Sequence, residues 1–349
     1  MSGRDEAIAA FLAAQGYGDT PPVLLAGDAS GRKYYRPQGS GDPVVLMDAP
    51  PPGEDVRPFM ALAGHLIERG FSAPRILAAD KGAGFLLLED LGDDSYNRLI
   101  TAAAEKEQPL YEAAIDLLVA LQSGEAPSQL AIDHEETLSL ATYDEELLLQ
   151  EAALFTNWYL PALSGERSDA LAEEFADLLR PMLQPLFAER EVLVLRDYHA
   201  DNLMWLAARQ GTARVGLLDF QDAGVGHPAY DLVSLLQDAR REVPQTLEEA
   251  MIGRFLDRQR ETGREIDDQA FRRAYALLGV QRNAKIIGIF TRLWKRDRKP
   301  AYLAMIPRVW GLLERSLQQG GFTALSAFFD QHAPAALRRT APTPETLCQ

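Results

Sequence analysis

The chain contains very little cysteine and histidine, and this scarcity excludes several kinds of site. Cys348 is its one cysteine among 349 residues, so neither a disulfide framework nor a cysteine-based zinc site can form within the chain. There are five histidines, which argues against a metal centre built from many of them. The remaining composition, 47% hydrophobic and 25% charged, is ordinary for a globular protein.

Basic residues are also in short supply relative to acidic ones. They number 35 against 51, which gives a formal net charge of −16. We therefore expect neither nucleic acid nor an anionic membrane as a partner. The chain has no apolar run of about 18 residues, as a membrane helix would need, and Met1 to Ala10 lack a basic segment followed by an apolar one. These features predict a cytoplasmic protein with no signal peptide.

The length predicts two domains or two lobes of one enzyme. The first 92 residues combine two helical patterns with short apolar strands separated by glycine and proline turns. Helical patterns dominate afterwards, apart from short strands within 192–220. We predict an α+β fold with a nucleotide-binding, mostly antiparallel N-lobe at 1–92. A large, mostly helical C-lobe at 93–349 would hold the catalytic and substrate-binding groups.

Three oxygen-bearing side chains lie on one strand-loop-strand segment. Asp197 and Asn202 share a short loop between two hydrophobic runs, and Asp219 ends the following strand. Asp197 could accept a proton from an attacking hydroxyl. Asn202 and Asp219 could ligate Mg²⁺, a hard cation that takes oxygen ligands. This combination suits phosphoryl transfer, in which a protein mainly positions groups and neutralises charge.

Other interpretations of these residues stay open. Asp197 and Asp201 could be solvated loop acids. On a strand, Asp197, His199 and Asp201 would share one face and could form a hydrolase metal cluster, although such a cluster needs further histidines. The segment 224–229 fits a dinucleotide-binding glycine pattern, but it does not lie directly between the strand and helix of a βαβ unit.

The two motifs resemble those of the aminoglycoside phosphotransferase family, relatives of the protein kinases. The family's His-Gly-Asp-Leu-His-x-x-Asn corresponds to 195–202 here, and its second motif to Asp219-Phe-Gln-Asp222. The resemblance implies a bilobal protein-kinase-like fold, ATP and Mg²⁺. Leu195 and Arg196 replace the family's His and Gly. Asp231, which opens a helix, is expected to cap that helix or brace the loop.

The resemblance also implies a nucleotide site in the N-lobe. The turn that contains Ser30, Gly31 and Arg32 could place backbone N–H groups over the phosphates. Met47 occupies the position of the expected phosphate-binding lysine, and no acid lies near Phe59 to pair with it. Another cation must then meet the phosphates, and Arg32 is favoured over Lys33 and Arg36. The backbone at Glu89 and Leu91 would bind adenine.

Further stretches, including 46–51 and 281–292, resemble the bacterial anomeric sugar kinases of cell-wall recycling. This resemblance implies phosphorylation of N-acetylmuramate and N-acetylglucosamine at the anomeric hydroxyl. The candidates for substrate binding are Arg196, His199, Asp222 and Tyr230. Arg196, Arg282 or Lys285 could meet the lactyl carboxylate of N-acetylmuramate. The alternatives are a kinase for another alcohol or an aminoglycoside, and a non-catalytic nucleotide-binding module.

Overall fold

The computed structural model of the chain describes residues 3–18, 21–27, 31–38, 42–188, 191–343 and 347. Within these ranges, no helix is both long and apolar enough to cross a membrane. Ser30 and Cys348 lie outside the described residues.

Within the first 92 residues, the strands and helices follow one another in the order that the sequence patterns predict. Three short strands within 129–142 were not predicted, because only helical patterns were expected there. The strands are β1 (Val23–Gly27), β2 (Lys33–Arg36), β3 (Val44–Asp48), β4 (Ile76–Asp80), β5 (Phe85–Glu89), β6 (Gln129–Ala131), β7 (Thr137–Ser139), β8 (Ala141–Thr142), β9 (Val192–Val194), β10 (Leu203–Trp205), β11 (Val215–Leu217) and β12 (Gly224–Gly226). The α-helices are α1 (Gly3–Ala14), α2 (Arg57–Glu68), α3 (Tyr96–Ala102), α4 (Glu107–Leu121), α5 (Glu145–Leu154), α6 (Leu160–Ser164), α7 (Asp169–Leu183), α8 (Ala229–Leu236), α9 (Gln245–Glu261), α10 (Asp268–Lys295), α11 (Ile306–Gly320), α12 (Thr323–His332) and α13 (Ala335–Arg338).

The chain divides into two compact units that are not continuous in sequence. The first comprises 1–114, 127–140 and 201–223, and the second comprises 115–126, 141–200 and 224–349. The first unit therefore combines the N-terminal sheet with the later hairpin of β10 and β11. The assignment of nucleotide and substrate roles to 1–92 and 93–349 stays a prediction.

The first unit is built on a five-stranded antiparallel sheet with the order β1-β2-β3-β5-β4. Alternate residues of a strand point to opposite faces. Val44 and Leu46 of β3 pack with Ile8 and Leu12 of α1, and burial of this apolar surface holds the helix on the sheet. Met47, the neighbour of Leu46, accordingly points to the opposite face.

The hairpin of β10 and β11 is tied to the first unit by backbone hydrogen bonds. The N–H of Trp205 donates to the carbonyl of Asp94 over 2.8 Å, and the N–H of Leu217 donates to the carbonyl of Ser72 over 2.7 Å. Asn202 directly precedes β10, and Asp219 follows β11 by two residues. Both side chains are thereby supported by regular structure.

The second unit is mostly helical, with α10 at its centre. A small sheet of order β8-β12-β9 interrupts the helices. A β-carbon at Gly288 of α10 would lie 2.3 Å from the carbonyl carbon of Leu154, so glycine allows α10 to pack closely against the end of α5. α5 is followed directly by a π-helical turn at Phe155–Tyr159. The predicted antiparallel sheet and mostly helical remainder are both confirmed.

Candidate active site

The loop that carries Asp197 begins where β9 ends, in the second unit. Asp231, in the first turn of α8, accepts hydrogen bonds from the backbone N–H groups of Leu195 (2.7 Å) and Arg196 (2.8 Å). Burial raises the pKa of Asp231 to about 7 despite these two bonds. Of the two roles expected for Asp231, the structure therefore assigns bracing of the loop.

Arg196 has a left-handed backbone, with φ of 73°. A non-glycine residue in this region costs on the order of 1–3 kcal/mol and persists where its surroundings hold it. The resembled family has glycine at this position, which adopts such angles without penalty. Here the backbone is held by Asp231, and the Arg196 side chain is held by an ion pair with Glu151 over 3.0 Å.

Glu151 of α5 is the centre of a buried cluster. Its carboxylate receives Lys285 Nζ at 2.6 Å, Arg196 Nη2 at 3.0 Å and the Tyr230 hydroxyl at 3.3 Å. Burial acts to raise the pKa of Glu151, but the charges of Lys285 and Arg196 outweigh it and hold the pKa below its ordinary value. Burial lowers the pKa of Lys285 to about 8. Arg196, Lys285 and Tyr230 are thus all engaged with one carboxylate.

Asp197 is partly exposed and faces a buried cation. Arg282 Nη2 lies 3.7 Å from Asp197 Oδ1 and donates a hydrogen bond to Ser234 Oγ over 2.7 Å. Desolvation acts to raise the pKa of Asp197, but the positive charges of Lys285 and Arg282 outweigh it, and the pKa lies below its ordinary value. Asp197 is therefore ionised at neutral pH, as a proton acceptor must be.

His199 is buried and lies beside Arg240. Arg240 Nη1 is 3.1 Å from His199 Nε2, and a guanidinium can only donate. Nε2 must therefore be the acceptor, which puts the proton of the neutral ring on Nδ1. Burial, followed by the charge of Arg240, lowers the pKa of His199 to about 3. The contact favours a bracing role for His199 over direct contact with a substrate.

The pair formed by Asn202 and Asp219 lies in the first unit. Asn202 Nδ2 is 3.5 Å from Asp219 Oδ2, and Gln221 Nε2 donates to Asp219 Oδ1 over 2.8 Å. Asp219 has a left-handed backbone with φ of 54°, a strain that is typical of functional positions. The amide and the carboxylate together offer two oxygen ligands, and Mg²⁺ commonly takes only one or two from protein.

Arg32 approaches Asp219 from the turn between β1 and β2. Its Nη2 lies 3.9 Å from Asp219 Oδ1, and its Nε lies 3.5 Å from Glu54 Oε2. The other Glu54 oxygen, Oε1, accepts the backbone N–H of Gly31 over 2.8 Å. Asp222 is exposed and adds negative charge near Arg32. Arg32, favoured from the sequence among three cations, is thus a buried cation beside Asp219.

The positions expected for a lysine and its glutamate partner are apolar and buried. Met47 is 1% exposed and Phe59 is 3% exposed. The Phe59 ring stacks on Phe220, the residue after Asp219, with centroids 4.9 Å apart. The backbone N–H of Glu89 donates to the Arg75 carbonyl over 2.8 Å, so a nucleotide contact at Glu89 would have to use its carbonyl oxygen.

Sequence reasoning missed three residues that the structure brings into these clusters. Glu54, Glu151 and Arg240 carry no motif. For Glu151 a signal existed, since its spacing from Leu148 and Ala152 places it on the buried face of α5. Among the residues with assigned positions, no three His, Cys, Asp or Glu side chains form a metal-binding group.

Comparison with known families and proteins agrees with the motifs. A model of the phosphotransferase enzyme family matches residues 23–274. A protein of Caulobacter vibrioides named N-acetylmuramate/N-acetylglucosamine kinase is 41% identical, covering 97% of this chain and 99% of its own. A protein of Pseudomonas aeruginosa with the same name is 37% identical, covering 90% and 89%.

Solved structures show the fold. A choline/ethanolamine kinase family protein from Mesorhizobium loti superposes with a TM-score of 0.57 at 17% identity, covering 97% of this chain and all of its own. The aminoglycoside phosphotransferase APH(2'')-Ib with bound ADP gives 0.57 at 14% identity, covering 90% and 99%. The predicted protein-kinase-like fold is therefore confirmed.

Proposed function

The chain belongs to the phosphotransferase enzyme family, and on that premise we propose that it is an ATP-dependent sugar kinase. It would phosphorylate the anomeric hydroxyl of N-acetylmuramate and N-acetylglucosamine to the 1-phosphate, as part of peptidoglycan recycling. The observation that carries the proposal is the 41% identity, over 97% of the chain, to a kinase named for these two sugars. An enzyme that uses ATP and has one cysteine suits the cytoplasm.

Asp197 is proposed as the general base. An anomeric hydroxyl is more acidic than an ordinary alcohol, so an ionised aspartate can receive its proton with little further activation. Such assistance contributes about 10²–10⁴-fold to a rate. The lowered pKa of Asp197 and its neighbour Arg282 support this role, because both keep the carboxylate in its proton-accepting form.

Asn202 and Asp219 are proposed to hold Mg²⁺. The donor set fits, since it joins an amide oxygen to a carboxylate and leaves the other positions to phosphate and water. When bound, the ion would neutralise charge on the phosphate oxygens. Gln221 would keep Asp219 oriented through the 2.8 Å hydrogen bond already described.

The nucleotide is proposed to lie on the first unit. Gly31 and Arg32 would face its phosphates, together with Ser30, which precedes them in the sequence. The Glu89 carbonyl and the Leu91 N–H would bind adenine. The buried, uncharged Met47 would line the site without contacting phosphate charge.

The sugar is proposed to lie near the Asp197 loop. Arg196 and Tyr230 are both hydrogen-bonded to Glu151, so each would meet the sugar from a fixed position. His199 would support the loop through its contact with Arg240. Asp222 is a further candidate to accept a hydrogen bond from a sugar hydroxyl.

An acceptor panel tests the function directly. The chain would be incubated with ATP and Mg²⁺ and each of N-acetylmuramate, N-acetylglucosamine, glucose and kanamycin, while ADP release is followed. We expect turnover with the two amino sugars and a product labile to mild acid, as 1-phosphates are. Turnover with kanamycin alone would instead identify an aminoglycoside kinase, and ATP binding without turnover would identify a binding module.

Two variants of the same loop provide a matched control. Asp197→Asn should lower kcat by about 10²–10⁴-fold and leave ATP binding intact. Asp201→Asn also removes one negative charge, at a position four residues later in the sequence. The Asp201 carboxylate accepts a hydrogen bond from Asn97 over 2.7 Å. The Asp201→Asn variant should keep most of the activity. Equal losses in the two variants would refute the role of Asp197.

A further inference from the structure

Glu54 contacts both the turn and the cation that are proposed to meet the nucleotide phosphates. It lies between β3 and α2, and its backbone N–H donates to the carbonyl of Pro50 over 3.2 Å. One side-chain oxygen accepts the Gly31 N–H at 2.8 Å, and the other lies 3.5 Å from Arg32 Nε. A single carboxylate thus connects the turn to the guanidinium.

The contacts of Arg32 divide between the two sides of its guanidinium. Nε faces Glu54, whereas Nη2 faces Asp219 at 3.9 Å. A buried charge needs such partners, because removal of one leaves a strongly unfavourable isolated ion. Because Glu54 takes the Nε side, the terminal nitrogens are oriented toward Asp219, the proposed metal ligand.

The surroundings favour Arg32 over nearby residues as the cation beside Asp219. Met47 and Phe59 are uncharged and buried. Lys33 is exposed, and Arg36 is bonded to Asp90 over 2.7 Å. Of the three cations considered from the sequence, Arg32 is the one with an observed contact to Asp219.

We propose that Glu54 is a positioning residue that holds Arg32 in place to bind the terminal phosphates of the nucleotide. The inference rests on the proposed use of ATP. A guanidinium can give two parallel hydrogen bonds to one phosphate. With Nε kept on Glu54, the terminal nitrogens can do so without losing their counterion. The same carboxylate would fix the Gly31 N–H, so the turn and the cation would move together.

Calorimetric binding of ATP and AMP separates this role from a purely structural one. Arg32→Ala should weaken ATP binding by about 10- to 100-fold, the usual range for losing a charged hydrogen-bond donor. AMP, which lacks the terminal phosphates, should bind within twofold of the wild-type affinity. Glu54→Gln retains an oxygen for the Gly31 N–H but lacks the charge, and should weaken ATP binding about tenfold while sparing AMP.

Lys33→Ala is the matched control, since it removes the adjacent positive charge from an exposed residue, the first of β2. It should change ATP affinity less than threefold. The proposal is overturned if Lys33→Ala matches Arg32→Ala, if both variants weaken AMP as much as ATP, or if Glu54→Gln has no effect. Arg32→Lys keeps the charge and should fall between wild type and Arg32→Ala. A wild-type chain that binds ATP but phosphorylates no sugar would contradict the proposed function and leave this test intact.

Discussion

The buried carboxylate of Glu151 offers a quantitative test of the electrostatics around the Asp197 loop. Glu151→Gln preserves the size of the side chain and removes its charge. Lys285 then keeps its buried position without the carboxylate 2.6 Å away, and Arg196 loses its 3.0 Å partner. The variant therefore measures the cost of leaving cations buried without a counterion.

The magnitude follows from two limits. Removal of one partner of a buried ion pair typically costs about 3–5 kcal/mol. Lys285 can also avoid the unpaired charge by releasing its proton. From its wild-type folded-state pKa of about 8, that release adds only about 1.4 kcal/mol at pH 7, at 1.36 kcal/mol per pH unit. We expect the free energy of unfolding to fall by between about 1.4 and 5 kcal/mol at pH 7, because Arg196 also loses its partner and stays charged.

The pH dependence has a defined sign. In the wild type the folded-state pKa of Lys285 is about 8, below its ordinary value of 10.5. The unfolded chain therefore binds more protons between these values, and stability rises with pH across that window. In Glu151→Gln the folded-state pKa is lower still, so the rise begins at lower pH. The difference between the two proteins should shrink by up to about 1.4 kcal/mol from pH 7 to pH 8 and then level off.

Urea unfolding at pH 7.0, 8.0 and 9.0 measures these differences. Glu145→Gln is the matched control, because Glu145 begins the same helix and pairs with the exposed Arg180. A surface pair of this kind contributes about 0–1 kcal/mol. A loss below about 1 kcal/mol in Glu151→Gln, or an equal loss at pH 7 and pH 8, would refute the buried-charge reasoning.

The other predictions concern the Asp197 loop and the proposed metal ligands Asn202 and Asp219. His199 should remain neutral down to about pH 3, and Arg240→Gln should raise its pKa in an NMR titration because a positive neighbour is removed. The neutral His199 should also make the protein less stable as the pH falls below 6.5. Asp231→Asn should cost about 1–3 kcal/mol in urea unfolding, since the amide has one acceptor oxygen and leaves one of the two loop N–H groups without its partner. Asp219→Asn should raise the Mg²⁺ concentration needed for half-maximal turnover at least tenfold, whereas Asn202→Asp should raise it less.

Each of these has a contrary outcome. An unchanged His199 titration in Arg240→Gln would mean that the 3.1 Å contact has no electrostatic effect. Unaltered stability in Asp231→Asn would mean that the loop N–H groups find other acceptors. An unchanged Mg²⁺ requirement in Asp219→Asn would remove Asp219 from the proposed metal site.

Local sequence patterns predicted the parts of the molecule that depend on near neighbours. The consecutive apolar residues Val44 to Met47 predicted the strand β3, and residues on both of its faces are buried. Because Met47 and Phe59 replace the expected lysine and its acidic partner, another cation was predicted to meet the phosphates. Arg32, the residue favoured for this, lies beside Asp219.

The missed contacts all join residues that are distant along the chain. Glu151 meets Lys285 across 134 positions, and Glu54 meets Gly31 across 23. Neither sequence separation corresponds to the periodicity of a helix or a strand. Such pairs are selected by the packing of whole elements, for example the close approach of α10 to α5 at Gly288. A single sequence carries no record of that packing.

Backbone strain is offset differently in the two units, and the difference follows from charge. At Arg196 the left-handed backbone is compensated by a carboxylate on its N–H and another on its side chain, so an arginine can occupy a position where the family has glycine. At Asp219 the strained residue is itself the anion, and it is held by the amide of Gln221 with Arg32 farther away at 3.9 Å. An uncharged amide and a guanidinium 3.9 Å away suit the proposed role of Asp219 as a metal ligand. Asp197, by contrast, faces Arg282 and stays ionised, as its proposed role as general base requires.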